Sequence, residues 1–151
     1  MYKRHKNVLL AVFVGTFIIT YLYGLDFAPI AETAITVASI AMGVYIAAVS
    51  ALLGSNYAKG LRQVTDKEYP TKTLLGVLAD YFRIAGAFCI FLIVIGYIYT
   101  LPAKVDISST TISYILRSGA AISYSVFSVN ILFLWLILQF LINSLGRATN
   151  E

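Results

Sequence analysis

The sequence predicts an all-α integral membrane protein, a four-helix bundle whose amino and carboxyl termini both lie in the cytoplasm. Three observations predict this fold class. The 151 residues are 60% hydrophobic and 12% charged, which is about half the charged fraction of a soluble domain. Four long apolar runs divide the chain, and Lys and Arg collect on one side of them. The polar residues are too few to form the surface of a water-soluble protein. The helices must therefore face lipid.

The apolar runs have the length that membrane spans need, roughly 17–25 residues. We expect spans near residues 8–25, 33–53, 84–101 and 121–145, with residues 1–151 forming a single transmembrane domain. The first run follows a basic segment and lacks a small-residue cleavage pattern after it, which indicates an uncleaved signal anchor.

A polar stretch at residues 55–73 separates the second and third spans, and we expect it to form a cytoplasmic loop. Apolar residues then recur with helical period over residues 74–83, which predicts a short interfacial helix before the third span. The last apolar segment, residues 112–145, is too long for one upright span. It forms either a short surface helix bearing Arg117 followed by a span, or a single long tilted helix.

The distribution of Lys and Arg predicts the orientation, because cytoplasmic flanks of membrane spans are enriched in these residues. Only Lys104 and Arg117 fall on the proposed outer side. The predicted location is the bacterial cytoplasmic membrane, crossed in several passes. The nine cations on the proposed inner side are Lys3, Arg4, Lys6, Lys59, Arg62, Lys67, Lys72, Arg83 and Arg147.

A row of small residues follows one face of the second span, with the helical spacing of three and four. Small side chains let two helix backbones approach closely in lipid, so this row is predicted to contact another helix. The contact could lie within the bundle or between subunits. The candidate helix-packing residues are Ser39, Gly43, Ala47, Ser50 and Gly54.

Ionisable residues inside a membrane are the usual positions of ion or proton coupling. Asp80 and Arg83 are the best candidates, since they stand three residues apart on one helix face. We expect them to pair at the inner interface, with the Arg83 side chain extending to the lipid headgroups. A buried functional pair is the alternative.

The fourth span is rich in neutral polar residues, which need hydrogen-bond partners in lipid. Ser123 and Asn130 share one helical face, and Gln139 and Asn143 share another. These side chains could join helices within the bundle. Alternatively, they could line a pore formed by several copies of the chain.

No catalytic, cofactor-binding or metal-binding motif occurs in the sequence. The single Cys89 lies in an apolar run and is interpreted as a small buried residue. The single His5 lies among lysines and arginines and is interpreted as a further polar anchor. The basic residues form no stripe on a soluble face, which argues against nucleic-acid binding. We therefore expect a protein that is not an enzyme.

Two stretches resemble small four-span membrane proteins of bacterial phages and other mobile elements. The first stretch includes residues 50–55 and 72–78, and the second includes residues 131–135 and 139–143. Such proteins include holins and membrane-acting effectors of anti-phage defence. Holins often end in a strongly charged tail, and the ending at residues 146–151 departs from that pattern.

These observations lead to two functional hypotheses. The first is a non-enzymatic membrane scaffold or interaction subunit, whose partners are membrane lipid, further copies of the chain, or a cytosolic or membrane protein. In this hypothesis a cytoplasmic basic loop, with Lys59, Arg62, Lys67 and Lys72, contacts a partner or lipid headgroups. The alternative is an oligomeric protein that forms a pore or depolarises the membrane.

Overall fold

The computed structural model describes residues 2–53, 56–63, 65, 70–101 and 110–148. These residues form helices and one isolated antiparallel bridge, between Thr65 and Thr73. Four of the helices are long and apolar enough to cross a membrane, which confirms the predicted helical architecture and supports a multi-pass membrane protein. The helices are α1 (Lys3–Tyr23), α2 (Ala31–Leu53, preceded by a 3-10 turn at Ala28–Ile30), α3 (Asn56–Gln63), α4 (Leu74–Thr100) and α5 (Thr110–Ala148).

Local signals at the helix ends explain where the helices begin and end. Gly24 ends α1 in the left-handed conformation, with φ of 60°, and its N–H donates to the carbonyl of Thr20. The side chain of Asp26 accepts a hydrogen bond from the N–H of Ala28 at 3.2 Å, where the turn into α2 begins. Thr73 caps α4, because its hydroxyl accepts a hydrogen bond from the N–H of Gly76 at 3.2 Å.

Two predictions about helix boundaries are resolved by the structure. The helix predicted at residues 74–83 forms the first turns of α4 and is not separate from the third span, while its place at the membrane interface stays a prediction. The reason is that no breaker follows Pro70 until Pro102, so α4 continues for 27 residues. A short helix instead lies at Asn56–Gln63, within the predicted loop. The last segment is one uninterrupted helix of 39 residues, so the single-helix solution is correct.

The long helices differ in how they pack. α4 packs against α5, α2 packs mainly against α4, and α1 packs mainly against α5. Since α1 contacts α4 little, a groove remains between them, with α5 as its floor. We call the end of the bundle where α1 and α4 begin and α5 ends the amino-terminal end, and the other the opposite end.

A glycine of α4 lies in tight contact with α2. A methyl group placed on Gly96 would lie 2.6 Å from Cγ1 of Ile35 and 3.4 Å from the carbonyl oxygen of Ala31. Because Gly96 has no side chain, the backbone of α4 can lie close to Ile35 and Ala31 of α2. The sequence pattern had not distinguished Gly96 from the other glycines.

We predict that Gly96→Ala lowers the stability of the folded chain in detergent by about 1–3 kcal/mol, because the added methyl overpacks the contact with Ile35. Thermal unfolding followed by circular dichroism measures the effect. Gly15→Ala is the control, since a methyl there meets nothing within 4 Å. Equal melting temperatures for the two variants would contradict this account of the contact.

Candidate functional site

Three polar residues in the middle of α5 face the inside of the bundle. Ser123, Ser125 and Asn130 are 1%, 0% and 2% exposed. The serine hydroxyls donate to backbone carbonyls one turn earlier, Ser123 to Gly119 at 2.9 Å and Ser125 to Ala121 at 2.8 Å. All three side chains are therefore enclosed within one chain.

Asn130 connects α5 with α4 through a side-chain hydrogen bond. The thiol of Cys89, itself fully buried, donates to Oδ1 of Asn130 at 3.0 Å. Cys89 is therefore buried, as interpreted from the sequence, and it also serves as a hydrogen-bond donor. Within the part of the chain that is described, Nδ2 of Asn130 and the buried hydroxyl of Tyr45 have no hydrogen-bond partner.

The two remaining amide candidates of α5 are not brought into this interior. Gln139 is exposed, so it does not join Asn130. The side chain of Asn143 lies outside the described part of the chain. Among the described residues, no group of three or more His, Cys, Asp or Glu side chains could hold a metal ion.

The Asp80 carboxylate is paired with a different residue from the one predicted. Nζ of Lys72 donates to Oδ2 of Asp80 at 2.6 Å. The expected pairing with Arg83 is therefore wrong, because the turn before α4 folds back and brings Lys72 to the carboxylate. The side chains of Lys72 and Asp80 remain 49% and 27% exposed, so this pair is not a buried functional pair.

The other basic candidates divide between α3 and the undescribed residues. Lys59 and Arg62 lie on the exposed side of α3, while Ala58 and Leu61 are buried on its other side. This arrangement makes α3 an amphipathic helix that packs on α4. Lys67 lies outside the described residues.

A cavity of about 240 Å³ lies at the amino-terminal end, beneath Leu61 of α3. Its polar groups come from the start of α1 and from α4. The hydroxyl of Tyr81 accepts a hydrogen bond from the N–H of Tyr2 at 3.0 Å and lies 2.7 Å from Nδ1 of His5. His5 is thus part of a hydrogen-bonded contact between helices. The remaining walls of this cavity are apolar.

The opposite end is closed by an arginine and three aromatic rings. Nη2 of Arg117 donates to the carbonyl of Leu22 at 3.0 Å, satisfying one of the carbonyls left open at the end of α1. Phe27, fully buried, packs its ring edge-on against Tyr99 and Tyr124, with centroids 5.3 and 5.2 Å apart. Arg117 therefore fastens α5 to α1 at a position inside a long helix.

The small residues predicted to pack on another helix lie on the outer surface of α2. Ser39, Gly43, Ala47 and Ser50 are all exposed, and we call this set the outer face of α2. Packing within the described part of the chain therefore does not account for them. Gly54 lies outside the described residues.

A second row, which consists of five alanines with Tyr45 and Leu52, makes the internal contact of α2, and we call it the alanine row. It lies on the side of the helix opposite the outer face, because its members are offset from those of the outer face by about half a turn. Ala side chains are compact enough for helix contacts in lipid as well, so composition alone did not separate the two rows. The buried row is Ala31, Ala34, Ala38, Ala41, Tyr45, Ala48 and Leu52.

Several residues that hold the bundle together were not found from the sequence. Gly96, Phe27 and Tyr81 carry contacts between elements that are distant along the chain, so no local spacing marks them. Gly24 offered a local signal, since glycine at the end of an apolar run is typical of a left-handed helix cap. A methyl on Gly24 would also lie 2.6 Å from Nη2 of Arg117.

Comparison with known proteins adds no relative. No protein-family model matches the chain, and no significant match occurs among curated proteins or solved structures.

We predict that Tyr81→Phe destabilises the folded protein by about 1 kcal/mol, since the hydrogen bonds with Tyr2 and His5 are lost. Thermal unfolding in detergent measures the change. Tyr114→Phe is the matched control, because Tyr114 is 57% exposed. An unchanged melting temperature for Tyr81→Phe would show that this network does not fasten the start of α1.

Proposed function

We propose that the protein is a non-enzymatic membrane interaction subunit that associates with a second copy of itself through the outer face of α2. The observation that carries the proposal is the position of that face. Its small residues lie on the side of α2 opposite the internal contact, and a methyl placed on Gly43 meets nothing within 4 Å. Packing inside the chain therefore does not require glycine there.

A second copy suits this face because small-residue rows are self-complementary. When the same row meets itself across a two-fold axis, each backbone fills the space left by the other. The hydroxyl of Ser39 donates to the carbonyl of Ile35 at 2.9 Å, so the face presents no unsatisfied hydroxyl at this position. The apolar Ile40 and Ile46, 61% and 58% exposed, flank the row.

The amino-terminal end is proposed to face the cytoplasm of a bacterial cell. The nine-to-two distribution of Lys and Arg supports this orientation, and α3 then lies at the cytoplasmic membrane surface. The resemblance to small membrane proteins of phages and mobile elements stays a prediction. The alternative of a pore is less well supported, because Ser123, Ser125 and Asn130 are buried within one chain.

The test of association uses copies labelled with donor and acceptor dyes in lipid vesicles. Gly43→Leu is expected to lower the association constant, measured from energy transfer between copies, by at least about tenfold. The reason is that a bulky side chain separates the two backbones. Ala11→Leu on α1 is the control, since Ala11 is exposed on another helix and should leave association unchanged.

Helical content and melting temperature are measured for both variants, so that unfolding is not mistaken for dissociation. A wild-type chain that shows no energy transfer at any protein-to-lipid ratio would rule out the proposed association. Loss of transfer with Ala11→Leu as well would place the contact elsewhere.

A further inference from the structure

A continuous apolar groove runs between α1 and α4, over a floor formed by α5. It consists of two cavities of about 440 and 460 Å³ that share Phe13 and Phe88. Lys6 and Phe133 line the part nearest the amino-terminal end, whereas Phe91 and Ile122 line the deeper part. The groove therefore starts at a cation and continues toward the middle of the bundle between aromatic side chains.

The length of the groove matches one leaflet of a bilayer. Ile122 and Phe133 mark the two ends of the groove along α5. At a rise of 1.5 Å per residue they lie about 16 Å apart. Half of a hydrocarbon core of roughly 30 Å is about 15 Å. A single lipid acyl chain entering beside Lys6 would follow the groove to about the middle of the membrane.

The entrance of the groove is positively charged. Lys6 lines it directly. Asp80 stands four residues before Ile84, which lines the same cavity, so both residues belong to one stripe of α4. The Asp80 carboxylate is paired with Lys72 at 2.6 Å, which balances its charge. Lys6 is therefore the cation that faces the position that a lipid phosphate would occupy.

The walls fit a flexible chain better than a second helix. Close helix contacts in lipid need rows of small residues, and the described walls of this groove are mainly phenylalanine and branched aliphatic side chains. We propose that the groove binds one anionic phospholipid from the leaflet at the amino-terminal end. Its phosphate lies at Lys6, and one acyl chain lies between Phe13 and Phe88.

Native mass spectrometry of the protein released from nanodiscs with equal amounts of phosphatidylglycerol and phosphatidylcholine tests this inference. The wild type is expected to retain one phosphatidylglycerol per chain, with a preference of roughly fivefold from one cation near the membrane surface. Lys6→Ala should bring the preference close to parity. Arg4→Ala is the control and should keep it, because Arg4 lines neither cavity of the groove.

A second variant fills the groove without changing charge. Ala87→Phe should abolish retention of both lipids while helical content stays unchanged. Equal retention of the two lipids by the wild type would overturn the proposal, as would an equal loss of preference in the control. In a Cys89→Ser background, a disulfide between copies through Phe91→Cys would show that a second chain occupies the groove, and would also overturn it.

Discussion

Hydrocarbon offers no hydrogen-bond partner to a hydroxyl or an amide, and this constraint organises the whole bundle. Three polar side chains in the middle of α5 are turned inward, where Ser123 and Ser125 bond to their own helix and Asn130 accepts from Cys89. Once these groups are inside, α5 must contact neighbours on several sides. It consequently packs against α1 and α4 and also touches α2.

The same constraint determines what is left for the outside. The lipid-facing surface consists of apolar side chains and of the small residues of α2, which can contribute packing but few hydrogen bonds. Association through such a surface is strongest where the backbones of two helices can approach each other closely. This reasoning connects the inward-facing polar residues of α5 with the proposed outer contact, because placing them inside leaves mainly small and apolar side chains for contacts with partners.

Much of the fold could be predicted from the sequence, and the reasons for the rest are physical. Apolar runs of sufficient length predicted four helices, because length and hydropathy are properties of a segment alone. The burial of the alanine row rather than the row with Gly43 could not be predicted, since both have helical spacing and small side chains. The partner of Asp80 was also missed, because Lys72 reaches it only when the turn before α4 folds back. The sequence thus indicated which residues form candidate surfaces. Whether each surface faces the interior or the outside depends on contacts between segments that are distant along the chain.

The most direct test of the account is a disulfide scan along α2 in native membranes, with single cysteines at residues 38–50 in a Cys89→Ser background. Serine at this position keeps a donor for Oδ1 of Asn130. The yield of cross-linked dimer is predicted to rise and fall with helical period, with maxima at Ser39, Gly43 and Ala47 and minima at Ala38, Ala41 and Tyr45. Maxima on the alanine row, or equal yields at all positions, would contradict the account.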